Sequence, residues 1–201
     1  MGINDVNQLC LSGEVQGAPV FDHSAYGEEF FCAFLCCRRL SGTVDTLPVL
    51  APQPLAAQLR PGLRLAVAGQ LRSYNEYAGA DTHLRLRAFA QSVSPAIEAA
   101  DQNRVVLEGH LCKPPVYRVT PFGREIADLL LAVNRRHGKS DYIPAIVWGE
   151  NARFAGGLGV GQKVRLEGRF QSREYEKALP DGRREARRAY EISAGGIYQI
   201  L

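Results

Sequence analysis

Several features of catalytic and metal-binding proteins are missing from this chain of 201 residues. Its five cysteines form no Cys-x-x-Cys pair, and its four histidines are scattered without ligand spacing. The GxSxG and HExxH motifs are absent, as are a P-loop and a dinucleotide fingerprint. These absences predict a protein without enzymatic activity, bound metal or cofactor. We expect the cysteines to be buried free thiols, because an odd number without ligand spacing is typical of simple packing.

Long hydrophobic runs are also missing. No apolar stretch approaches the roughly 18 residues that span a bilayer. The first residues, MGINDVNQL, lack the basic and apolar regions of a secretory signal. We therefore expect a cytoplasmic protein without membrane contact. Hydrophobic residues make up 46% of the chain and charged residues 22%, which is ordinary for a soluble globular protein.

The sequence contains an internal repeat. NQLCLSGEV (7–15) is similar to NRVVLEGHL (103–111), and this offset of 96 residues holds without a gap over residues 7–50, where twelve of 44 positions are identical. PGLRLAVAGQLRS (61–73) then matches VGQKVRLEGRFQS (160–172) at an offset of 99 residues. Ungapped identity of this length indicates a tandem duplication.

The boundary between the two copies is predicted in SPAIEAADQ (94–102), which is rich in alanine and acids and lacks strand-like alternation. It divides the chain into an N-terminal domain of residues 1–98 and a C-terminal domain of residues 102–201. Each is close to a common domain size. These two domains are called copy one and copy two below.

Copy two is predicted to consist mainly of strands. RVVLEGHL has a central glycine that would bend a strand, and Pro114-Pro115 ends it. REIADLLLAVNR (124–135) fits a helix or a strand by itself. Its counterpart in copy one, EFFCAFLCCRR, is aromatic and cysteine-rich, which favours a strand. YIPAIVW is a third strand, ENARFAGGL (150–158) a short helix, and two more strands follow.

This order predicts an all-β protein. A β-β-β-α-β-β unit with glycines where strands bend is typical of the OB-fold, a five-stranded, partly open barrel. We therefore expect two tandem OB-fold barrels, each with a short helix between strands three and four. Gly13, Gly69, Gly109 and Gly168 are expected to serve barrel curvature.

Copy two also resembles a known family. NRVVLEGHLCKPP, TPFGREIADLLLAVNR, DYIPAIVWGENARFA and VGQKVRLEGRFQSREY are similar, in this order, to blocks of bacterial single-stranded DNA-binding proteins. Copy one matches more loosely, and the two-copy layout is similar to a tandem group from clostridial bacteria. The resemblance implies OB-folds that bind DNA by base stacking and phosphate contacts, in assemblies of four such domains. A chain with two domains would then form a homodimer.

Members of this family usually end in a disordered, glycine-rich tail whose acidic tip recruits replication and repair enzymes. This sequence ends in GGIYQIL, directly after its last predicted strand. We therefore do not expect partner recruitment by that route. Primosomal replication relatives also lack the tail, so the alternative hypothesis is an adaptor whose OB-folds bind proteins.

Charge differs between the copies. Residues 102–201 contain 17 Lys and Arg against 11 Asp and Glu, whereas residues 1–101 contain 7 against 10. All four lysines are in copy two. Because affinity for nucleic acid comes largely from phosphate neutralisation, copy two is predicted to be the main binding domain. Copy one is predicted to bind weakly or not at all, and to serve packing, dimerisation or partner contact.

The aromatic residues also indicate that copy two is the main binding domain. Tyr142 and Trp148 are six residues apart on one predicted strand, so they share a face of the sheet. A tryptophan could be a core anchor, but the apolar residues between these two favour the exposed face, where rings stack bases. Their counterparts in copy one, Thr46 and Pro52, cannot stack comparably. The residues that the resemblance places on or beside stacking positions are His137, Tyr142, Trp148 and Tyr175.

The predicted phosphate contacts lie in copy two. They are Arg135, Arg136, Lys139 and Arg173, with Arg183, Arg184, Arg187 and Arg188 of the RREARR stretch (183–188). We expect this stretch to be a flexible basic loop beside the binding groove, although a solvated hairpin face is the alternative. The weaker candidates in copy one are Arg38, Arg39, Arg72 and Tyr74. Together they predict non-catalytic, sequence-tolerant binding of single-stranded DNA in replication, recombination or repair. Stacking would also tolerate RNA.

Overall fold

The computed structural model describes residues 5–78, 81–135, 138–178 and 182–200. Its elements are β1 (Asn7–Ala25), β2 (Glu28–Arg38), β3 (Val44–Pro52), α1 (Gln53–Ala56), β4 (Arg64–Ala78), β5 (Asp81–Pro95), β6 (Asn103–Leu111), β7 (Val116–Val119), β8 (Glu125–Asn134), β9 (Ser140–Trp148), α2 (Glu150–Gly156), β10 (Lys163–Ala178) and β11 (Arg184–Ile200). Within these ranges, neither helix is long or apolar enough to cross a bilayer.

The strands form two closed barrels with the same topology. In copy one, β1 pairs with β2 and β4, β2 pairs with β3, and β5 closes the barrel between β3 and β4. In copy two, β6, β8, β9, β11 and β10 repeat this arrangement. Each barrel has one parallel pair, β3–β5 or β9–β11, and a helix after its third strand. The prediction of an all-β fold with two tandem OB-fold barrels is confirmed.

Copy two has one strand more than predicted. The first strand of copy one runs without a break to Ala25, whereas in copy two it ends at Leu111 and resumes as β7, which pairs with β8. Pro114 and Pro115 lie in the gap. Because proline has no backbone N–H to donate, two consecutive prolines interrupt the ladder.

Four glycines allow strands to approach closely. Gly13 and Gly109 occupy equivalent positions in the first strands, and Gly69 and Gly168 occupy equivalent positions in the fourth. A Cβ on Gly109 would lie 2.6 Å from the carbonyl oxygen of Ala132, and a Cβ on the other three would be still closer to the facing backbone. Any side chain would push these strands apart, so the four glycines have a structural role as expected.

The cysteines depart in part from the prediction of buried free thiols. All five are free. Cys37 is buried, and burial raises the pKa of its thiol to about 12. Cys10 is exposed because it points outward from β1, between the buried Leu9 and Leu11. The prediction of burial is therefore wrong for Cys10, and the partly exposed thiols are Cys32, Cys36 and Cys112.

The two barrels are joined by an antiparallel ladder between their first strands. Asn7 pairs with Leu107, and Leu11 pairs with Asn103. Asn7 is equivalent to Asn103 in the repeat, and Leu11 is equivalent to Leu107. The ladder therefore relates the copies by an approximate two-fold axis through its centre.

Buried carboxylates tie each barrel to the other. Asp45 on β3 accepts a hydrogen bond from the backbone N–H of Ser172 on β10, at 3.0 Å. Its equivalent Asp141 on β9 accepts one from the backbone N–H of Ser73 on β4, at 2.8 Å. Both acids are fully buried, and each is also paired with an arginine of its own copy. These partners are necessary because an unpaired charge in the interior is strongly destabilising.

The predicted boundary segment is held by similar bonds. Asp101 accepts a hydrogen bond from the backbone N–H of Arg38, and its equivalent Asp5 accepts one from that of Asn134, at 2.7 and 3.0 Å. The backbone N–H of Gln102 donates to the hydroxyl of Ser12. The copies are thus joined by direct bonds as well as by the connecting chain.

Candidate nucleic-acid interface

Strand β9 places Tyr142 and Trp148 on the outer face of the copy-two barrel. Their exposed fractions are 47% and 38%, while the alternate residues Ile143 and Val147 are fully buried. The shared face predicted from alternation is confirmed, and Trp148 is not a core anchor. The indole N–H of Trp148 donates a hydrogen bond of 3.2 Å to the hydroxyl of Ser193 on β11. This bond holds one edge of the ring against the barrel and leaves part of the indole open to solvent.

Trp148 lines a groove of about 550 Å³, called the Trp148 groove below. Four arginines line it as well: Arg39 of copy one, and Arg124, Arg169 and Arg173 of copy two. Among the described lining residues, Glu191 is the only acid. The groove therefore has a clear excess of positive charge, and a concave basic site attracts a polyanion.

Strand β10 provides one wall of this groove. Alternation turns Arg169, Gln171 and Arg173 outward, while Phe170 between them is fully buried. Gln171 donates a hydrogen bond of 2.9 Å to Glu191, and Arg173 lies 3.6 Å from the same carboxylate. The side chain of Arg173 is 57% exposed, so this ion pair is weak and leaves Arg173 accessible to another anion.

Tyr175 follows Arg173 on the outer face of β10. The Arg173 guanidinium lies 5.5 Å from the centroid of the Tyr175 ring, in a cation–π arrangement. The ring is partly exposed but lines a second groove of about 210 Å³. This second groove is also lined by Glu76, His83, Arg85, Glu185, Arg187 and Arg188. Its two acids make it less basic than the Trp148 groove, and Arg173 is the link between the two aromatic residues.

Tyr142 lies at the other end of β9 from Trp148, about 20 Å away at roughly 3.3 Å per residue. Its backbone N–H donates a hydrogen bond of 2.7 Å to the hydroxyl of Ser73 on copy one. Arg135 lies near this end, with Nε 3.0 Å from the buried Asp141. Its charge is therefore largely neutralised inside the protein.

Lys139, a candidate of the β8–β9 turn, does not line the Trp148 groove. Lys139 is exposed beside the start of β9. Arg136 and His137 lie outside the described residues. Of the ten copy-two candidates that the structure describes, it brings Trp148 and Arg173 together in one groove.

The RREARR stretch is not a loop from Arg184 onward. Residues 184–188 belong to β11 and pair with β10. Arg184 lies 3.0 Å from Glu176, and Arg188 lies 2.8 Å from Glu174. The prediction of a flexible basic loop is wrong here because opposite charges on facing strands form cross-strand pairs that support a regular hairpin.

The other two arginines of this stretch differ in position. Arg187 lies 2.9 Å from Glu185 of its own strand, and its Nη1 is 3.5 Å from the ring of His83 on copy one. It therefore lies where the β4–β5 and β10–β11 hairpins meet. Arg183 directly precedes β11.

The weaker candidates Arg72 and Tyr74 of copy one already have partners. Arg72 donates from Nη1 to the buried Asp141 at 3.2 Å. Burial lowers the pKa of Arg72, and the charge of Asp141 opposes this effect. The guanidinium of Arg87 lies 4.4 Å from the centroid of the Tyr74 ring and donates to its hydroxyl. Arg87 is in turn paired with Asp22, so the cation and the ring are satisfied within copy one.

Arg39 and Arg38, the other two weaker candidates, lie closer to the Trp148 groove. Arg39 donates two hydrogen bonds of 2.6 Å to Asp45, and this contact raises the pKa of Arg39. It nevertheless lines the Trp148 groove. Arg38 lines a neighbouring groove of about 340 Å³, called the Arg38 groove below, together with Ser41 and Asp101.

Two residues of the Trp148 groove, Arg124 and Arg169, are missing from the candidates drawn from the sequence. Arg169 was within reach of sequence reasoning, because alternation on one strand places it on the same face as Arg173. Arg124 was not, because only the pairing of β8 with β9, in which Ile126 faces Trp148, brings it to the groove.

Known proteins are similar in sequence to copy two of this chain. Residues 102–199 match the Single-strand binding protein family. A single-stranded DNA-binding protein of Clostridium tetani is 41% identical over 81 residues, which cover 37% of this chain and 56% of that protein. Single-stranded DNA-binding protein 2 of Listeria innocua is 40% identical over 89 residues, which cover 41% and 55%. The chain thus spans little more than half the length of these relatives.

A solved structure resembles the whole chain. The wild-type single-stranded DNA binding protein from Thermus aquaticus aligns with a TM-score of 0.78 and 21% sequence identity, covering 99% of this chain and 95% of that one. At this identity the likeness concerns the fold. It extends over both copies and their arrangement.

Proposed function

We propose that this chain, whose residues 102–199 match the Single-strand binding protein family, binds single-stranded DNA without sequence preference and without catalysis. The observation that carries the proposal is the Trp148 groove, where a partly exposed indole lies among four arginines. Every base has a face that can stack on an indole, at about 1–3 kcal/mol per base. Arginines bind phosphates whatever the base. This combination gives affinity without sequence preference.

The bound strand would extend from Trp148 along the outer face of β10 toward Tyr175, with Arg173 between them. The exposed Tyr142 and Lys139 at the far end of β9 would add contacts to a longer strand. Arg135, held by Asp141, would support the fold rather than bind phosphate. Copy two is the main binding domain in this proposal because its groove has arginines without a matching number of acids.

A strand-coating protein of this kind would protect DNA opened during replication, recombination or repair in the cytoplasm. We propose that it acts as a homodimer, since the family resemblance implies assemblies of four OB-folds and one chain supplies two. Light scattering at micromolar concentration should then give twice the 22.1 kDa of one chain. A mass of one chain would contradict the dimer while leaving DNA binding open.

The most direct test uses the fluorescence of Trp148, the only tryptophan in the chain. We expect strong quenching when oligo(dT) is added. The affinity should fall as salt rises, with a slope of about 0.7 in log–log form for each phosphate neutralised on a single strand. Oligo(U) in a parallel titration separates a DNA preference from general binding to single strands. Absence of quenching together with a negative gel shift would reject the proposal and favour the protein-binding adaptor.

A further inference from the structure

An arginine and a glutamine have exchanged places between the two copies. At the offset of 99 residues, Gln70 of copy one corresponds to Arg169, and Arg72 corresponds to Gln171. In copy one, Arg72 reaches across to the buried Asp141 and also donates to Gln70. The arginine of copy one is therefore neutralised at the junction between the barrels.

The arginine of copy two has no such partner. Arg169 donates from Nη2 to the side-chain oxygen of Gln171, at 3.3 Å. Its Nε is buried and has no acceptor. In the described part of the chain, Arg169 forms no ion pair with an acid. A buried N–H without an acceptor is rare in folded proteins and calls for an explanation such as an unseen ligand.

A second cation lies beside it. Burial lowers the pKa of Arg169, and the nearby charge of Arg39 lowers it further, while Asp45 opposes both effects. Asp45 takes two hydrogen bonds from Arg39 and so neutralises one of the two guanidinium groups. One positive charge remains in excess at this junction. Among the described residues, Arg39 and Arg169 are the two that line both the Trp148 groove and the Arg38 groove.

We propose that Arg39 and Arg169, one from each copy, form a phosphate site where a nucleic-acid backbone passes from the Trp148 groove to the Arg38 groove. This inference rests on the proposed function and names the contact that joins the two copies along the strand. Guanidinium groups fit phosphate because their N–H donors form a planar fork. A phosphate oxygen would also supply the acceptor that the buried Nε of Arg169 lacks. At the opposite junction the Nε of Arg135 also lacks a hydrogen-bond acceptor. Both arginines there, Arg72 and Arg135, are nevertheless paired with Asp141, whereas Arg169 forms no ion pair among the described residues.

The first experiment compares R169Q with R165Q in the full-length chain. Gln is the residue that copy one has at the position of Arg169. Arg165 lies on the same strand but is paired with Glu108 and Glu167 outside the groove. Fluorescence anisotropy with labelled oligo(dT) should show about tenfold weaker binding for R169Q, the effect of losing a charged hydrogen bond. Its salt slope should fall by about 0.7, one phosphate contact, while R165Q stays near wild type.

The double variant R169Q/Q171R separates the site from overall charge. It has the composition and net charge of the wild type, but it gives copy two the arrangement of copy one, in which the arginine reaches the buried acid of the other barrel. We expect it to bind oligo(dT) as weakly as R169Q. Wild-type affinity in the double variant, or equal losses in R169Q and R165Q, would overturn the phosphate site.

Inorganic phosphate provides a test that does not depend on DNA. Phosphate should raise the thermal midpoint of the wild type relative to chloride at equal ionic strength, because a ligand that binds the folded state stabilises it. R169Q should lose this shift and R165Q should keep it. Equal shifts in all three proteins would count against the site. Failure of the wild type to bind oligo(dT), with the phosphate shift intact, would instead reject the proposed function.

Discussion

The two copies have the same barrel topology and equivalent buried acids, yet the arginines on their outer faces differ in their partners. On copy one, Arg87 covers the Tyr74 ring and is held by Asp22. On copy two, Trp148 lies in a groove whose arginines outnumber its acids. Two duplicated barrels can therefore keep equivalent internal bonds while the charged and aromatic groups on one outer face pair with each other and are no longer available to a ligand. Counting basic residues in each half does not reveal this, because what matters is which cations are already paired.

The largest expected effect concerns the bonds that the copies share. Asp141 forms ion pairs with both Arg72 and Arg135, whereas its equivalent Asp45 has a bidentate contact with Arg39 alone. D141A should therefore destabilise the chain more than D45A, with losses of about 3–5 kcal/mol for removing a partner of a buried pair. Urea unfolding gives the free energy of unfolding of both variants and of the wild type.

The control for this comparison is D128A. Asp128 pairs with Arg118 on the surface, and exposed pairs contribute about 0–1 kcal/mol. If D141A and D45A lost no more stability than this control, the buried acids would not be what joins the barrels.

The second-largest expected effect is on DNA binding, and it distinguishes the ring of Trp148 from the ring of Tyr74. W148A should weaken binding of labelled oligo(dT) by about 1–3 kcal/mol, because one stacking surface is lost. Y74A should change it much less, since Arg87 already covers that ring. Anisotropy serves as the readout because W148A has no tryptophan. Equal losses in the two variants would show that copy one binds DNA as well as copy two.

A smaller effect on DNA binding is expected when Arg87 loses its acidic partner on the outer face of copy one. D22N removes the carboxylate that holds Arg87, which should free one cation beside Tyr74. We expect oligo(dT) affinity to rise slightly and the salt slope to increase by about 0.7, one additional phosphate contact. Unchanged affinity and slope would mean that loss of its charge partner is not enough to make this face bind.

The smallest expected effect is a pH dependence of stability at the same place. Burial tends to raise the pKa of Asp22, but hydrogen bonds from His23 and Arg87 outweigh it and hold the pKa below the ordinary value of 3.8. A lowered pKa stabilises the folded state above pH 3.8, and this contribution is lost as pH falls through the lowered pKa. Because the side chain of Asp22 is still 21% exposed, solvent screens these contacts, and the loss should be about 1 kcal/mol or less. Unfolding of wild type and D22N should therefore differ less at pH 2 than at pH 6.

The fold was predictable from the sequence to a large extent because its signals are local or repeated. The ungapped repeat located equivalent elements, and the glycines that permit close strand contact stand at the same places in both copies. The pair Pro114-Pro115 signalled a break, but not that the chain would resume as β7. For the RREARR stretch, composition predicted a basic loop. In the structure Arg184 and Arg188 form ion pairs with Glu176 and Glu174 of β10, which support a paired strand.

The sequence by itself determined the barrel topology, the outward direction of Tyr142 and Trp148, and the excess of cations in copy two. These follow from alternation and composition, which are properties of single strands and of single copies. Only the tertiary structure decided which cations are available to a ligand, and that Arg39 of copy one lines a groove of copy two. The physical reason is that ion pairing acts over a few ångströms of space. Its partners therefore come from strands far apart in the chain that folding brings together.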